Sequence, residues 1–247
     1  ELPVAAEFAA ARVTLVHLRA RLMERQLQRP AAALLKRLVE HKGIDILLEA
    51  STARILGAER VEGVELADGR VLKADAVIFA AGIRPNIALA KDAGIATGRG
   101  IVVDDRLETS APGVYALGEC AEHDGVCYGL VEPAYEQARV LARHLAGKDA
   151  VYRGSVTATN LKVSGVSVFS AGDFIGHETS EDIVLSDVRF GSYKKLVVDD
   201  GRLIGAVLIG DTRDALWYLE MIRNGASIKS LRNDLMFGRA LAERRAA

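Results

Sequence analysis

Two short β-branched runs, Val13-Thr14-Leu15-Val16 and Ile44 to Leu48, flank one amphipathic helical segment, and that order limits what the chain can become. Strands this short and apolar suit a parallel sheet, whose neighbours must be joined by a crossover rather than a tight turn. The crossover helix is predicted at roughly Pro30 to His41, with Ala33, Leu34, Leu38 and His41 on one face and Gly43 as its stop. The result is a β-α-β unit of the nucleotide-binding kind. Ahead of it, the Ala-rich stretch Glu1 to Ala11 reads as a further helix, with Pro3 tolerable in its first turn.

The pattern then turns antiparallel. Arg60 to Leu72 reads as a hairpin with Asp68-Gly69 as a type I′ turn, and Asp75 to Gly82 as a near-continuous apolar strand. Gly100 to Asp104 and Gly113 to Gly118 give two more strands, and a helix over Pro133 to Leu145 ends at Gly147. Tyr135, Ala138, Leu141, Ala142 and Leu145 form its expected apolar side. Beyond the linker candidate Gly147 to Ala150 come short strands at Val166 to Phe169, Ile183 to Leu185, Ser192 to Val198 and Leu203 to Ile209. Asp200-Gly201 is the turn between the last two. A helix capped by Asp211 or Thr212 follows, with Ala215, Leu216, Leu219 and Ile222 at helical spacing before Gly225.

Charge and composition exclude several classes. Thirty-two basic against thirty-three acidic residues leave no field to attract nucleic acid or a membrane surface. Aromatic residues are too few for a base-stacking platform. No apolar run reaches the roughly eighteen residues of a membrane span, and no secretory signal opens the chain. Cys120 and Cys127 cannot supply the four ligands of an iron–sulfur cluster, nor is their spacing that of a dithiol centre. The expected compartment is the cytoplasm, and no metal site is expected.

Chemistry concentrates at Gly113-Val-Tyr-Ala-Leu-Gly118-Glu119-Cys120-Ala121. An apolar run ends there in a glycine and then an acid. Glycine admits a ligand to the backbone, and a carboxylate just past a strand accepts hydrogen bonds from ribityl or ribose hydroxyls. On these residues alone, a ligand-facing exit and an ordinary strand-to-loop exit are equally good readings.

Thr109, Val114, Tyr115, Ala116, Gly118 and Glu119 resemble the second flavin-binding motif of the two-dinucleotide-domain flavoprotein reductases. Ala80-Ala-Gly82-Ile-Arg84-Pro-Asn86 resembles the other internal marker of that superfamily, at the expected distance upstream. The resemblance narrows further to the flavoprotein part of assimilatory NAD(P)H-nitrite reductase. It is carried by His17 to Leu27, Gly82 to Gly94, Gly118 to His123, Gly129 to Ala138, Thr159 to Asp173 and Leu235 to Gly238. It implies FAD and NAD(P)H as cofactors, with hydride passing from NAD(P)H to flavin and electrons passing on to an acceptor of iron–sulfur or sirohaem type. A homodimer is a further expectation.

What the chain lacks is informative in the same frame. It has no G-x-G-x-x-G loop, and nothing cysteine-rich follows Gly238. The expected fold is α/β: a partial pyridine-nucleotide domain over 1–80 without its first strand and glycine loop, and the returning part of a flavin domain over 81–148. An α+β interface-type domain over 149–247 completes it. A fragment of this kind is expected to bind FAD weakly or not at all.

The resemblance singles out Gly118, Glu119 and Cys120 with Gly82, Arg84 and Pro133 as candidate flavin-side residues. Cys120 also reads as structural, because no second thiol is placed to pair with it. Lys162 is either a flavin-side contact or a surface lysine. Pro85 is expected to fix a turn and Asn86 to bond locally to backbone. Glu132-Pro133 opens a helix whose N-terminal amides face the flavin ring in the family. His17, Arg19 and Arg21 follow a nucleotide-domain strand, where an acid serves NAD and arginines suit the phosphate of NADP, so the nicotinamide preference stays open. Trp217 reads as core or subunit contact. No catalytic residue is assigned. Rival readings are a rubredoxin or ferredoxin reductase, an NADH oxidase-like flavoprotein, and a cofactor-free binding or dimerisation module.

Overall fold

The structure is a computed structural model that describes residues 11–246. The helix expected up to residue 10 lies outside the described residues. The chain divides into two compact units: residues up to Phe79 together with Ala158 onward, and Ala80–Thr157.

The first unit opens with β1 (Val13–Val16), α1 (Arg29–Glu40) and β2 (Ile44–Leu47). The two strands pair in parallel, Val13 beside Ile44 through Val16 beside Leu47. Pro30 stands in the first turn of α1, where its missing N–H costs nothing. Gly43, at φ +82°, ends the helix with its N–H on Glu40 O. The buried stripe is Ala31, Ala32, Leu34, Leu35 and Val39. Ala33 and His41, expected on that face, are exposed. The reason is that α1 packs on β2 and on the C-terminal sheet together, and the second neighbour rotates the stripe away from the spacing a single neighbour would select.

A three-stranded antiparallel sheet follows: β3 (Thr52–Leu56), β4 (Gly63–Leu66) and β5 (Val71–Lys73). The expected hairpin is β4–β5, but its turn is not type I′. Gly69 alone has positive φ, its N–H bonds Leu66 O, and Leu66 N–H bonds Arg70 O. This is a three-residue loop with glycine in the left-handed position. The strand expected over Asp75 to Gly82 does not form: among the described residues none pairs with this segment in a ladder, and Ile78 and Phe79 are each 73% exposed. Apolar composition alone does not make a strand, because the backbone groups need a neighbour to bond.

The second unit holds α2 (Ala88–Asp92), β6 (Ile101–Val103), β7 (Ala121–His123) and α3 (Val131–Leu145). β6 and β7 pair in parallel. The strand expected over Gly113 to Gly118 is reduced to a single bridge between Tyr115 and Glu108, and the pairing shifts to Ala121–His123. Val103, Leu107, Ala116, Ala121 and Tyr152 form the core, with Tyr128, Val140 and Leu141 against it. On α3 the buried positions are Pro133 and Gln137, whereas Tyr135, Ala142 and Leu145 point outward. Gly147, at φ +71°, stops the helix as expected.

The first unit is completed by a five-stranded antiparallel sheet in the order β10-β11-β12-β9-β8, where β8 is Ala158–Val163, β9 Val166–Gly172, β10 Glu181–Asp187, β11 Ser192–Asp199 and β12 Arg202–Ile209. Asp200 (φ +44°) and Gly201 (φ +67°) form the I′ turn between β11 and β12. Ser164 and Gly165, both at positive φ, make a second such turn between β8 and β9. α4 (Ala215–Asn224) starts at Asp214 with no side-chain cap, so neither Asp211 nor Thr212 caps it through its side chain. α4 buries Ala215, Trp217, Tyr218, Leu219 and Met221 and leaves Leu216 exposed. α5 (Arg239–Ala246) ends the described chain.

One core joins the two ends of the first unit: Leu22, Leu27, Leu35, Val39 and Ile44 pack with Val168, Tyr193, Val207 and Ile209. Each fully buried side chain of this kind contributes about 1.5–3 kcal/mol. Among the described residues no helix is long and apolar enough to cross a membrane.

Candidate functional site

In the second unit the segment Thr109 to Val114 is a closed turn. Thr109 N–H donates to Val114 O at 2.8 Å, Ala111 N–H to Thr109 Oγ1 at 3.2 Å, and Gly113 N–H to Glu108 Oε1 at 2.8 Å. Gly113 sits at φ +75°, which only glycine adopts without strain. The turn fixes where Tyr115 to Leu117 run, and Leu117, fully extended, delivers Gly118.

Gly118 to Cys120 forms a single 3₁₀ turn, with Gly118 at φ +80° and buried. Its N–H donates to Gln137 Oε1 at 2.7 Å, tying the turn to the second turn of α3. A side chain at Gly118 would have Ala134 Cβ as its nearest neighbour, at 3.8 Å, so one face of this backbone is open. Glu119 is exposed and its carboxylate is unengaged among the described residues. Cys120 Sγ donates to Leu117 O, a local contact, and no disulfide joins it to Cys127. Burial, with Glu122 nearby, pushes the Cys127 thiol up, so that sulfur is a poor nucleophile.

α3 begins beside this turn, and its N-cap residue, Leu130, makes no side-chain cap hydrogen bond. The structure therefore brings Gly118, Glu119, Cys120 and Pro133 together. Gly82 and Arg84 lie in the same unit, exposed, in the irregular segment before α2. Asn86 Oδ1 accepts the Ala88 N–H, the local backbone bond expected of it. His123 is buried between Asp105 (Nε2 to Oδ1, 3.0 Å) and Asp124 (Nδ1 to Oδ2, 3.8 Å). These are the described residues whose ligand atoms cluster as a metal site would require. Tyr152 packs edge-on against the ring, which makes His123 part of the core.

The remaining candidates belong to the first unit. His17, Arg19 and Arg21 occupy the loop at the carboxyl end of β1, where a β-α-β unit meets a nucleotide. Lys162 is exposed on the edge strand β8. Two residues escaped the sequence reading: Gln137, and Glu24, which faces His17 and Arg19. A buried amide on a helix face is the one local sign for Gln137. Nothing local distinguishes Glu24 from a solvated acid.

Known proteins resemble this chain along its length. The family model described as pyridine nucleotide-disulphide oxidoreductase matches residues 1–143, and that of the rubredoxin NAD+ reductase C-terminal domain matches residues 158–226. A nitrite reductase [NAD(P)H] of Bacillus subtilis (strain 168) is 48% identical over 217 residues, 87% of this chain and 27% of that protein. An NADH-rubredoxin oxidoreductase of Clostridium acetobutylicum is 32% identical over 189 residues, 76% of this chain and 46% of that protein. Among solved structures, a ferredoxin reductase from Rhodopseudomonas palustris superposes with a TM-score of 0.77 at 26% identity, covering 96% of this chain and 59% of its own. The chain thus spans between about a quarter and a half of the length of these curated relatives. It belongs to the pyridine nucleotide-disulphide oxidoreductase family.

Proposed function

We propose that this chain is part of an FAD-dependent NAD(P)H oxidoreductase, and that Gly118, Glu119 and the start of α3 form the part of its flavin site contributed here. The carrying observation is the open Gly118 backbone tied to α3 through Gln137, with the free Glu119 carboxylate beside it. The residues fit the group. A glycine face admits a flat, polar ligand, the carboxylate accepts from ribityl hydroxyls, and the positive end of the α3 dipole suits an electron-rich ring edge. Gly82, Arg84 and Pro133 belong to the same side of this reading, as does Cys120 through its backbone. Lys162 is assigned as a flavin-side residue on family likeness. When bound, the flavin accepts hydride and hands electrons on, and the protein supplies position and electrostatics.

In this reading residues 1–80 belong to the pyridine-nucleotide domain, 81–148 to the returning flavin segment, and 149–247 to an interface domain. NAD(P)H meets the end of β1 at His17, Arg19 and Arg21. The acceptor is an iron–sulfur or sirohaem centre, as the nitrite reductase likeness suggests. The match of residues 158–226 to a rubredoxin reductase domain favours a second reading, a reductase serving a small redox protein. A homodimer and a cytoplasmic location complete the proposal, and sedimentation decides the first.

The test is spectroscopic. The protein carrying this chain should show flavin absorption bands that bleach anaerobically on addition of NADH or NADPH. Glu119→Ala, an exposed position, should lower flavin occupancy while leaving the circular dichroism unchanged. A purified full-length protein without flavin, and unable to take it up, would overturn the reading. Steady-state reduction of nitrite against reduction of rubredoxin separates the two acceptors.

A further inference from the structure

The loop leaving β1 carries an unusual charge arrangement. Arg19, Arg21 and Arg25 gather around a shallow, open depression that two acids, Glu24 and Glu49, also line, and of these acids Glu24 is the one paired with the basic groups, His17 included. Its two oxygens face different partners: Oε2 lies 3.4 Å from His17 Nε2 and Oε1 lies 3.9 Å from Arg19 Nε. His17 Nε2 is also 2.9 Å from Arg21 O, and since a carbonyl only accepts, that nitrogen carries the proton.

Glu24 is not a mobile surface side chain on a loose loop. Leu22 and Leu27 on either side of it are buried, at 5% and 0% exposure. Met23 is held at φ +50°, and its carbonyl accepts both Gln26 N–H and Leu27 N–H. Arg21 Nη2 donates to Glu24 O at 3.3 Å. A left-handed methionine is uncommon and persists only where its surroundings fix it. One donor in the cluster is left over: Arg21 Nε is buried and has no hydrogen-bond partner among the described residues. An orphaned donor of this kind calls for an acceptor, which a bound water, ion or ligand supplies.

At this point of a β-α-β unit the ribose of a dinucleotide is read, by an acid for a free 2′-hydroxyl or by arginine for a 2′-phosphate. Here both are present, and the acid occupies the ground between the basic groups. A phosphate drawn to Arg19 would lie within a few ångströms of a fixed carboxylate, and each like-charge contact at that range lowers affinity by about tenfold or more. We propose that Glu24 sets the nucleotide preference of this chain: it acts as an internal counter-anion that reserves the His17–Arg19–Arg21 cluster for a nucleotide with a free 2′-hydroxyl. Without it the same cluster is a 2′-phosphate site. The inference rests on the proposal that the end of β1 receives the adenosine ribose.

The full chain is titrated with 5′-AMP and with adenosine 2′,5′-bisphosphate, which differ only in the 2′-phosphate, followed by calorimetry and by the NMR signals of the His17 ring. In Glu24→Gln the bisphosphate should bind at least about tenfold tighter, with 5′-AMP changed less than about threefold. Adding Arg19→Ala to that variant should remove the gain. Glu49→Gln removes an acid that lines the same depression, so an equal gain there would show a general charge effect and overturn the proposal. No gain in Glu24→Gln, with 5′-AMP still moving the His17 signals, overturns the proposal and leaves the nucleotide site standing. Silence from both probes in both proteins removes the nucleotide site and the proposal together. Unchanged backbone NMR shifts at Leu22 and Leu27 establish that the variants are folded.

Discussion

Gln137 Oε1 accepts the Gly118 N–H at 2.7 Å, a bond between a helix side chain and the backbone of the glycine turn that precedes it by nineteen residues. Both groups are buried, so the bond is expensive to leave unmade. Gln137→Leu strands the Gly118 donor and should cost about 1–3 kcal/mol. Denaturant unfolding of the full chain checks the magnitude. Hydrogen exchange at the Gly118 amide checks the location, since that amide should lose protection before its neighbours in β7.

Gly118 and Gly205 differ in what a side chain would cost. At Gly118 an added Cβ meets nothing closer than 3.8 Å, so Gly118→Ala pays only for a left-handed backbone, about 1–2 kcal/mol. At Gly205 the same atom would lie 2.0 Å from Asp173 O, a backbone atom that cannot move aside. Gly205→Ala should therefore fail to give a folded first unit, whereas Gly118→Ala should fold with a lowered midpoint. Thermal melts of the two variants separate these outcomes.

Lys194 is buried in β11, where its Nζ donates to Met236 O at 3.0 Å and to Tyr218 Oη at 3.3 Å, with no carboxylate in contact among the described residues. Burial pushes its pKa down, with Asp214 and Asp211 opposing from a distance. A base whose pKa is lower when folded favours unfolding while it stays protonated, so stability should rise as pH climbs on the alkaline side toward about 10. Lys194→Met should abolish that rise and change stability at pH 7 by less than about 1 kcal/mol. The window stops there because burial pushes the Tyr218 phenol up, which works in the opposite direction above about pH 10.

Asp211 holds Arg213 through two side-chain hydrogen bonds, and the guanidinium lowers its carboxyl to about 2. A depressed acid contributes stability above its unfolded pKa of about 4 and loses it as pH falls toward 2. Asp211→Asn should flatten that part of the acid denaturation curve and leave the curve above pH 5 in place. The pair is solvent-exposed, so the effect should shrink in high salt.

How much of this was legible depended on how local each cause is. Val13–Val16, α1, the stops at Gly43 and Gly147 and the Asp200–Gly201 turn all follow from neighbours in sequence, and the structure has them. β3 was missed because Thr52-Ala-Arg-Ile-Leu56 is exposed on both faces and shows no alternation. β8 was missed along with the Ser164–Gly165 turn that would have announced it. Asp75 to Gly82 misled for the opposite reason, since its composition is that of a strand and its lack of a partner is a property of the whole fold. In the candidate site, Gly118 and Glu119 were readable as a strand exit. Gln137 and Glu24 were not, because their partners lie across a turn or a loop that sequence spacing does not describe.

The core that packs Leu35 and Ile44 against Val168 and Val207 draws on segments separated by the whole of the second unit. Cutting the chain anywhere in that intervening stretch would leave the first unit as two polypeptides with no peptide bond between them. Its folding would then become a bimolecular association, held by an interior instead of an interface, with a melting temperature that depends on protein concentration.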